Sequence, residues 1–271
     1  MKHELIDKIN DHVSRENILM GAASAEELNA SAPEGFRPKD LLFGAKTMLV
    51  FAQPLPLSVF MNSEETNNPF YQRSAYVHYL MMDKLANDLS LMIQNAGYQS
   101  LPIPSYSPLR FYEGEPCGII SLKHAAVHAG LGKMGRNSLL INPEHGNVMR
   151  LGALITEMEW PEYPAINEKS PCPDKCHICE DACPVGAIKD GNIDKMKCMG
   201  KCIKHILLPP SFMLPLMKRA VAASKLMTKF MELTSLNFFE TYAIGCTACL
   251  TSCIYFPGNK GKKSKADSVA R

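Results

Sequence analysis

Apolar residues recur at helical spacing in HELIDKINDHVSRE (residues 3–16) and again through QRSAYVHYLMMDKLANDLSLMIQNAGY (72–98). Both stretches read as amphipathic helices. In the second, Tyr76, Tyr79, Leu80, Leu85, Leu89 and Ile93 fall on or near one stripe, and Gly97 supplies the expected stop. KTMLVFAQPLP (46–56) is a continuous apolar run closed by prolines, the pattern of a buried strand. SLLIN (138–142) and RLGALITEMEW (150–160) read as further strands, and KHAAVHA (123–129) as a helix. The first part of the chain is therefore expected to be a mixed α/β domain. The polar, proline-bounded EYPAINEKSP (162–171) reads as a linker, which places the domain boundary near Pro164.

A later amphipathic stretch, SFMLPLMKRAVAASKLMTKFMELTS (211–235), sets Met213, Met217, Ala220, Val221, Met227, Phe230 and Met231 at helical spacing. Lys218, Arg219, Lys225 and Lys229 lie mostly elsewhere on the wheel. Such a helix packs on its own protein more often than on a membrane surface or a partner, and packing is the expectation here. The last residues, GNKGKKSKADSVAR (258–271), are basic and polar and read as a disordered tail.

At 271 residues the chain is long enough for one large domain or two small ones. A net charge of +2 and an isoelectric point near 8.0, with no basic stripe interleaved with aromatics, point away from DNA. The opening MKHELIDKINDHVSRENILMGAAS has neither a charged-then-apolar leader nor a twin-arginine pair. No apolar run reaches the ~18 residues that span a bilayer. A cytoplasmic setting is expected, in which cysteines are reduced and serve as thiolates.

That matters because the ten cysteines are unevenly spread. Cys117 stands alone; Cys172, Cys176, Cys179 and Cys183 are crowded into CPDKCHICEDACP; Cys198 and Cys202 follow; and Cys246, Cys249 and Cys253 form CTACLTSC. The spacing C-x2-C-x3-C occurs at 176–179–183 and again at 246–249–253, and each copy needs one more upstream cysteine. This is the pattern of a two-cluster bacterial ferredoxin, where the cysteine before proline ligates the other cluster. The expected assignment is crossed. Cluster one takes Cys172, Cys176, Cys179 and Cys253; cluster two takes Cys183, Cys246 and Cys249 with either Cys198 or Cys202. The first gap is C-x3-C where C-x2-C is usual, and Ile254 follows Cys253, with proline only at Pro257. Structural zinc is the alternative, but one tetrahedral site uses four thiolates and leaves four unexplained.

GLGKMG (130–135) matches G-x-G-x-x-G, yet a helix precedes it and a strand follows, the reverse of the dinucleotide-binding order. Gly130, Gly132 and Gly135 are instead expected to allow a sharp turn or a close approach of backbone to a flat ligand.

The longer stretch AAVHAGLGKMGRNSLLINPEHGNVMRLGALITEME resembles the core of the corrinoid-dependent reductive dehalogenases and the epoxyqueuosine reductases. In that superfamily an AGLG turn, an LLI strand and an R-L-G-x-x-x-T strand precede a double ferredoxin motif. The resemblance covers most of residues 40–257. It implies an α+β protein: a nitroreductase-like α/β domain (1–164), then a two-cluster ferredoxin-like domain (165–257) with inserted Met-rich helices, then the basic tail (258–271). It implies two [4Fe–4S] clusters and cobalamin as cofactors. Gly130, Gly132 and Gly135 would bring backbone against the corrin, and Arg136 and Asn137 would offer donors to it, ordinary strand-start hydrogen bonding being the equal alternative. The MKC setting of Cys198 resembles the family's start of the second cluster and favours it over Cys202.

Departures bear on the chemistry. The family's D-T-x-P acid has no counterpart in RFYEGEPCGIISLKHA, where Pro116 and Cys117 stand near its place. Tyr106, Tyr112, Glu113 and Glu115 are the candidate proton donors, each with loop or core packing as the commoner role. Cys117 reads as a reactive thiol, a cobalt-facing group or a small buried apolar residue, and His177 as a loop residue. The implied activity is reduction of a small organic substrate with electrons from a ferredoxin or flavodoxin. The alternatives are a redox partner that reduces another protein's corrinoid, and a plain ferredoxin-type carrier.

Overall fold

A computed structural model describes residues 2–167, 169–205, 208–236 and 242–259. The expected tail falls outside the described residues from 260 onward. The N-terminal part is built on a four-stranded antiparallel sheet in the order β1 (Leu19–Ser24), β2 (Thr47–Pro54), β4 (Met149–Thr156), β3 (Ser100–Ile103). Val50 pairs with Ala153 and Leu101 with Ile155, which sets the register across the centre. All eight residues of β4 are buried, as a strand covered on both faces requires.

Alternation along β2 explains the covering. Met48, Val50 and Ala52 face one core with Leu28, Ala125 and Ala126. These come from helix α2 (Ala25–Ser31) and helix α4 (Leu122–His128). Leu49 and Phe51 face the other core, filled by Leu5, Ile9 and Val13 of α1 (Lys2–Arg15) and by Met82, Leu85, Ala86, Leu89 and Ile93 of α3 (Glu64–Asn95). Gly152 lets α3 approach β4, since a Cβ there would stand 2.5 Å from that of Met82.

The two long helices and the strands at 46–56 and 150–160 lie where periodicity predicts, with three differences. Helix α3 begins at Glu64, eight residues before the expected start, and carries Pro69 in its second turn, where the ring removes only one ladder bond. Leu80 is 51% exposed, because the buried stripe runs through Met82 and Leu85. The expected strand at 138–142 shrinks to Leu140–Ile141, paired with Lys133–Met134, because the preceding turn takes up the rest. Strand β1 lacks the periodic signal; its small residues LMGAAS pack beneath the end of α4.

The Met-rich stretch also departs from expectation. It is two helices, α7 (Leu214–Ala223) and α8 (Lys225–Thr234), broken at Ser224, whose side chain accepts from the Met227 amide to start the second. Leu214 and Val221 are buried, but α8 buries no residue fully, contrary to a helix packed along its length. Among the described residues no helix is long and apolar enough to cross a membrane.

Candidate metal centre

The two C-x2-C-x3-C copies fold alike. Cys176 precedes the cap residue His177 and the single helical turn α5 (Ile178–Asp181), with Cys183 just beyond it. Cys246 precedes the cap residue Thr247 and α9 (Ala248–Thr251), with Cys253 just beyond. The two turns pack against each other. Identical spacing has produced identical local geometry, which sets the cysteines of each copy at equivalent places.

Their neighbours sort into two groups. The Cys253 thiol is pushed up to about 11, by burial first and then by Cys172, Cys179 and Cys176 beside it. Cys179 is raised likewise by burial, then by Cys172 and Cys176. Cys249 is pushed up to about 12 by burial, then by Cys198, Cys246, Cys179 and Cys183. Cys253 thus has Cys172, Cys179 and Cys176 as cysteine neighbours, while Cys249 has Cys198, Cys246, Cys179 and Cys183. Cys198 and Cys202 both reach the second group; a hydrogen bond between them lowers Cys198 to about 7 and raises Cys202. Both lie on or at the end of α6 (Lys195–Cys202), and the Cys202 thiol also donates to the Cys246 carbonyl at 3.3 Å. Among the described residues no three Cys, His, Asp or Glu side chains close on a single-ion site.

Backbone amides donate to three of these sulfurs: Ala187 to Cys183 at 3.2 Å, Tyr255 to Cys253 at 3.4 Å and Arg136 to Cys172 at 3.5 Å. The Tyr255 hydroxyl donates to the Pro171 carbonyl at 2.6 Å and so ties the chain before Cys172 to the chain after Cys253. His177 meets Glu180 at 3.1 Å, within its own turn.

The glycine segment is turned toward these loops. Gly130 ends α4 with φ +73, and a Cβ there would meet Pro164 at 3.2 Å. At Gly132 a Cβ would meet the Ile141 carbonyl oxygen at 2.5 Å, and at Gly135 the Ile141 side chain at 2.6 Å. Arg136 donates to the Asp174 carbonyl at 2.9 Å, and the buried Asn137 amide to the Cys249 carbonyl at 3.1 Å. Asn147, which carries no sequence signal beyond lying in the polar turn before β4, does the same for Leu250 at 2.9 Å.

The proton-donor candidates separate. Tyr112, Glu113 and Glu115 lie on the tight hairpin Arg110–Cys117, whose turn at Glu113 and Gly114 has φ +51 and +77. Tyr112 is exposed and lies edge-on to Phe36. Glu115 is paired with Lys218 at 2.6 Å and Lys195 at 3.6 Å, and Lys195 reaches the Cys117 sulfur at 3.7 Å. Tyr106 lies elsewhere, in an aromatic cluster with Tyr79 and Tyr242, ring centroids 5.3 and 5.9 Å away. Burial first, then Tyr79, holds the Tyr106 phenol protonated well above its ordinary range. The buried Arg150 donates to the Tyr71 hydroxyl and lies over the Tyr71 and Tyr79 rings at 5.0 and 5.5 Å. Cys202 packs against this cluster, so the aromatic group adjoins the second cysteine group. Arg150 stands in the R-L-G motif, which was the only signal available for it.

No family model matches the chain. An epoxyqueuosine reductase of Bacillus anthracis is 27% identical over 165 residues, which are 60% of this chain and 41% of that protein. The chain thus spans about two fifths of that relative's length within the match. The fold is similar to an epoxyqueuosine reductase structure from Bacillus subtilis with its catalytic aspartate loop swung out of the active site (TM-score 0.61, 17% identity, covering 95% of this chain and 67% of that one). It is also similar to an epoxyqueuosine reductase solved with an epoxyqueuosine-modified tRNA stem loop (TM-score 0.58, 17% identity, 97% and 67% covered).

Proposed function

We propose, for a chain that belongs to the superfamily of epoxyqueuosine reductases and reductive dehalogenases, an iron–sulfur oxidoreductase with a nitroreductase-like lobe (1–164) and a two-cluster ferredoxin-like lobe (165–257). The observation that carries this reading is the pair of matching turns with Cys253 beside Cys172, Cys176 and Cys179. Cys172, Cys176, Cys179 and Cys253 hold one [4Fe–4S] cluster, and Cys183, Cys246, Cys249 and Cys198 the other. The donor set fits: two thiolate groups, in a fold where amides already donate to Cys172, Cys183 and Cys253. Such hydrogen bonds raise a cluster's potential by stabilising the reduced, more negative state. When bound, the clusters supply one-electron transfer.

The chain's own residues do the rest. Asn137 and Asn147 fix the second cysteine turn on the sheet lobe. Burial keeps Tyr106 protonated, and Arg150 supplies a buried positive charge over the neighbouring Tyr71 and Tyr79 rings. Cys202 packs against the cluster that holds Tyr106, and this position makes Tyr106 the preferred proton donor among the four candidates. Glu115 is disfavoured, because its carboxylate is engaged by Lys218 and Lys195.

Cobalamin is the further cofactor the superfamily implies. The five residues singled out for it are engaged within the protein, the glycines against Pro164 and Ile141, and Arg136 and Asn137 on the cysteine loops. No step is derived through it. The second reading, a redox protein that reduces another protein's corrinoid, draws on the hairpin that stands where the superfamily has its acid.

Anaerobic isolation tests the proposal. Iron and acid-labile sulfide of about eight each per chain are expected from two four-iron cubes. Colourless protein, or zinc on those sulfurs, would overturn it. Titration with cob(II)alamin and turnover of an epoxyqueuosine-containing tRNA stem loop separate the two readings. Binding with turnover supports the enzyme, and cluster reduction without either supports the redox partner.

A further inference from the structure

Between Cys202 and Cys246 the chain places several large apolar residues in the open. On α8, Leu226, Phe230 and Leu233 follow at i, i+4, i+7 and are 81%, 58% and 65% exposed. Phe212 and Leu216, at the start of the same insertion, are 81% and 65% exposed. A contiguous apolar face of this kind on a folded protein marks an interaction site.

The face is fixed to the second cysteine group. Leu214 is buried against α6, where a Cβ at Gly200 would stand 2.6 Å from its Cδ1, and the Ser211 hydroxyl donates to the Gly200 carbonyl at 3.5 Å. Helix α6 is the one that carries Cys198 and Cys202. At the other end Ser235 is buried, donates to the Leu109 carbonyl at 3.3 Å and accepts from the Leu109 amide at 3.0 Å.

Charge completes the picture. Lys201, Lys204, Arg219, Lys225 and Lys229 are exposed on this part of the molecule, and Glu232 is the one acidic residue from 195 to 236. The same span also holds Lys195, Lys197 and Lys218, which are paired with Glu115 and Asp194, and the other five cations face one anion in a chain whose net charge is only +2. An apolar centre with a cationic surround is the complement of an acidic partner.

We propose that the α7–α8 face is the docking surface for a small acidic electron-transfer protein, which delivers electrons at the second cysteine group. This rests on the iron–sulfur reading above. A protein partner is favoured over a lipid surface by position: the face is anchored through Leu214 to the helix bearing two of the cysteines, and a bilayer has no use for that proximity. Met213, Met217, Met227 and Met231 supply adaptable contacts for a transient complex. In the transfer step the donor's anionic flavin hydroquinone loses one electron and becomes the neutral semiquinone. An oxidised cluster takes that electron, and no proton moves.

The test uses reduced flavodoxin with anaerobically prepared wild-type chain and two double variants, Lys225→Glu with Lys229→Glu and Leu226→Glu with Phe230→Glu. Stopped-flow absorbance reads cluster reduction. In wild type the rate is expected to fall as salt is added, and in the charge-reversal variant to fall by at least about tenfold at low salt. Titanium(III) citrate, which needs no docking, is expected to reduce all three preparations equally, which reports intact clusters. Equal flavodoxin rates in all three would overturn the proposal. So would loss of binding to phosphatidylglycerol vesicles in the variants with flavodoxin rates unchanged, which would make the face a lipid-binding one. Flavodoxin binding is also measured directly by interferometry. Wild type binding no tighter than the variants overturns the surface even in iron-free protein, whereas missing iron alone overturns only the cluster reading.

Discussion

The sheet lobe and the cysteine-bearing segment hold their shapes in opposite ways. In the sheet lobe, strands β2 and β4 are covered on both faces by separate apolar cores. In the cysteine-bearing segment, α5 buries only Cys179 and α9 only Leu250. Those two turns are too short to carry a core, so α9 leans on a small cluster with Leu55, Phe60, Val148, Cys253 and Phe256 and on asparagine amides from the sheet lobe, and α5 packs on α9. The first region is stabilised by area removed from water, and the second by directional bonds and, on the proposed reading, by iron. Damage to each should therefore show in a different measurement.

The largest separation is expected from Cys249→Ala. Iron should drop from about eight to about four per chain as one cube loses a ligand, with far-ultraviolet circular dichroism little changed. Loss of the sheet signal along with the iron would show that the two regions fold as one. Next comes Phe51→Ala, which empties a fully buried site between β2 and α3. A cost of about 3–5 kcal/mol is expected in urea unfolding.

Asn147→Ala sits on the boundary. It leaves the buried Leu250 carbonyl without its donor, at a cost of about 1–3 kcal/mol. Its particular signature is faster iron release to a chelator at urea concentrations where the sheet is still folded. The smallest effect belongs to Glu115→Gln. Its lysine partners are 40% and 43% exposed, so water screens the pairs and the stability change should stay under about 1 kcal/mol by thermal melting.

How much of this was readable in advance follows the same division. The helix at 2–15 and the strands at 47–54 and 149–156 announce themselves through periodicity, because one-sided or two-sided burial leaves a repeating pattern. Strand β1 does not, since LMGAAS was selected for a close approach of α4 and not for area. The cysteines were readable as two matching copies because the spacing C-x2-C-x3-C recurs along the chain. Asn147 and Arg150 were not, for a single amide or guanidinium has no period and its partner lies 103 or 79 residues away in the chain.

Local order along the chain thus settled the helices, the central strands and the two cysteine turns, whose determinants all lie within a few residues of one another. Only folding decided that Asn137 and Asn147 clasp the second turn, and that Cys202 packs against the cluster of Tyr79, Tyr106 and Tyr242. It also turned the apolar residues of α8 outward, against the ordinary expectation for such a helix. Each of these depends on which surfaces come together when the cores close, and burial energy has no address along the chain until they do.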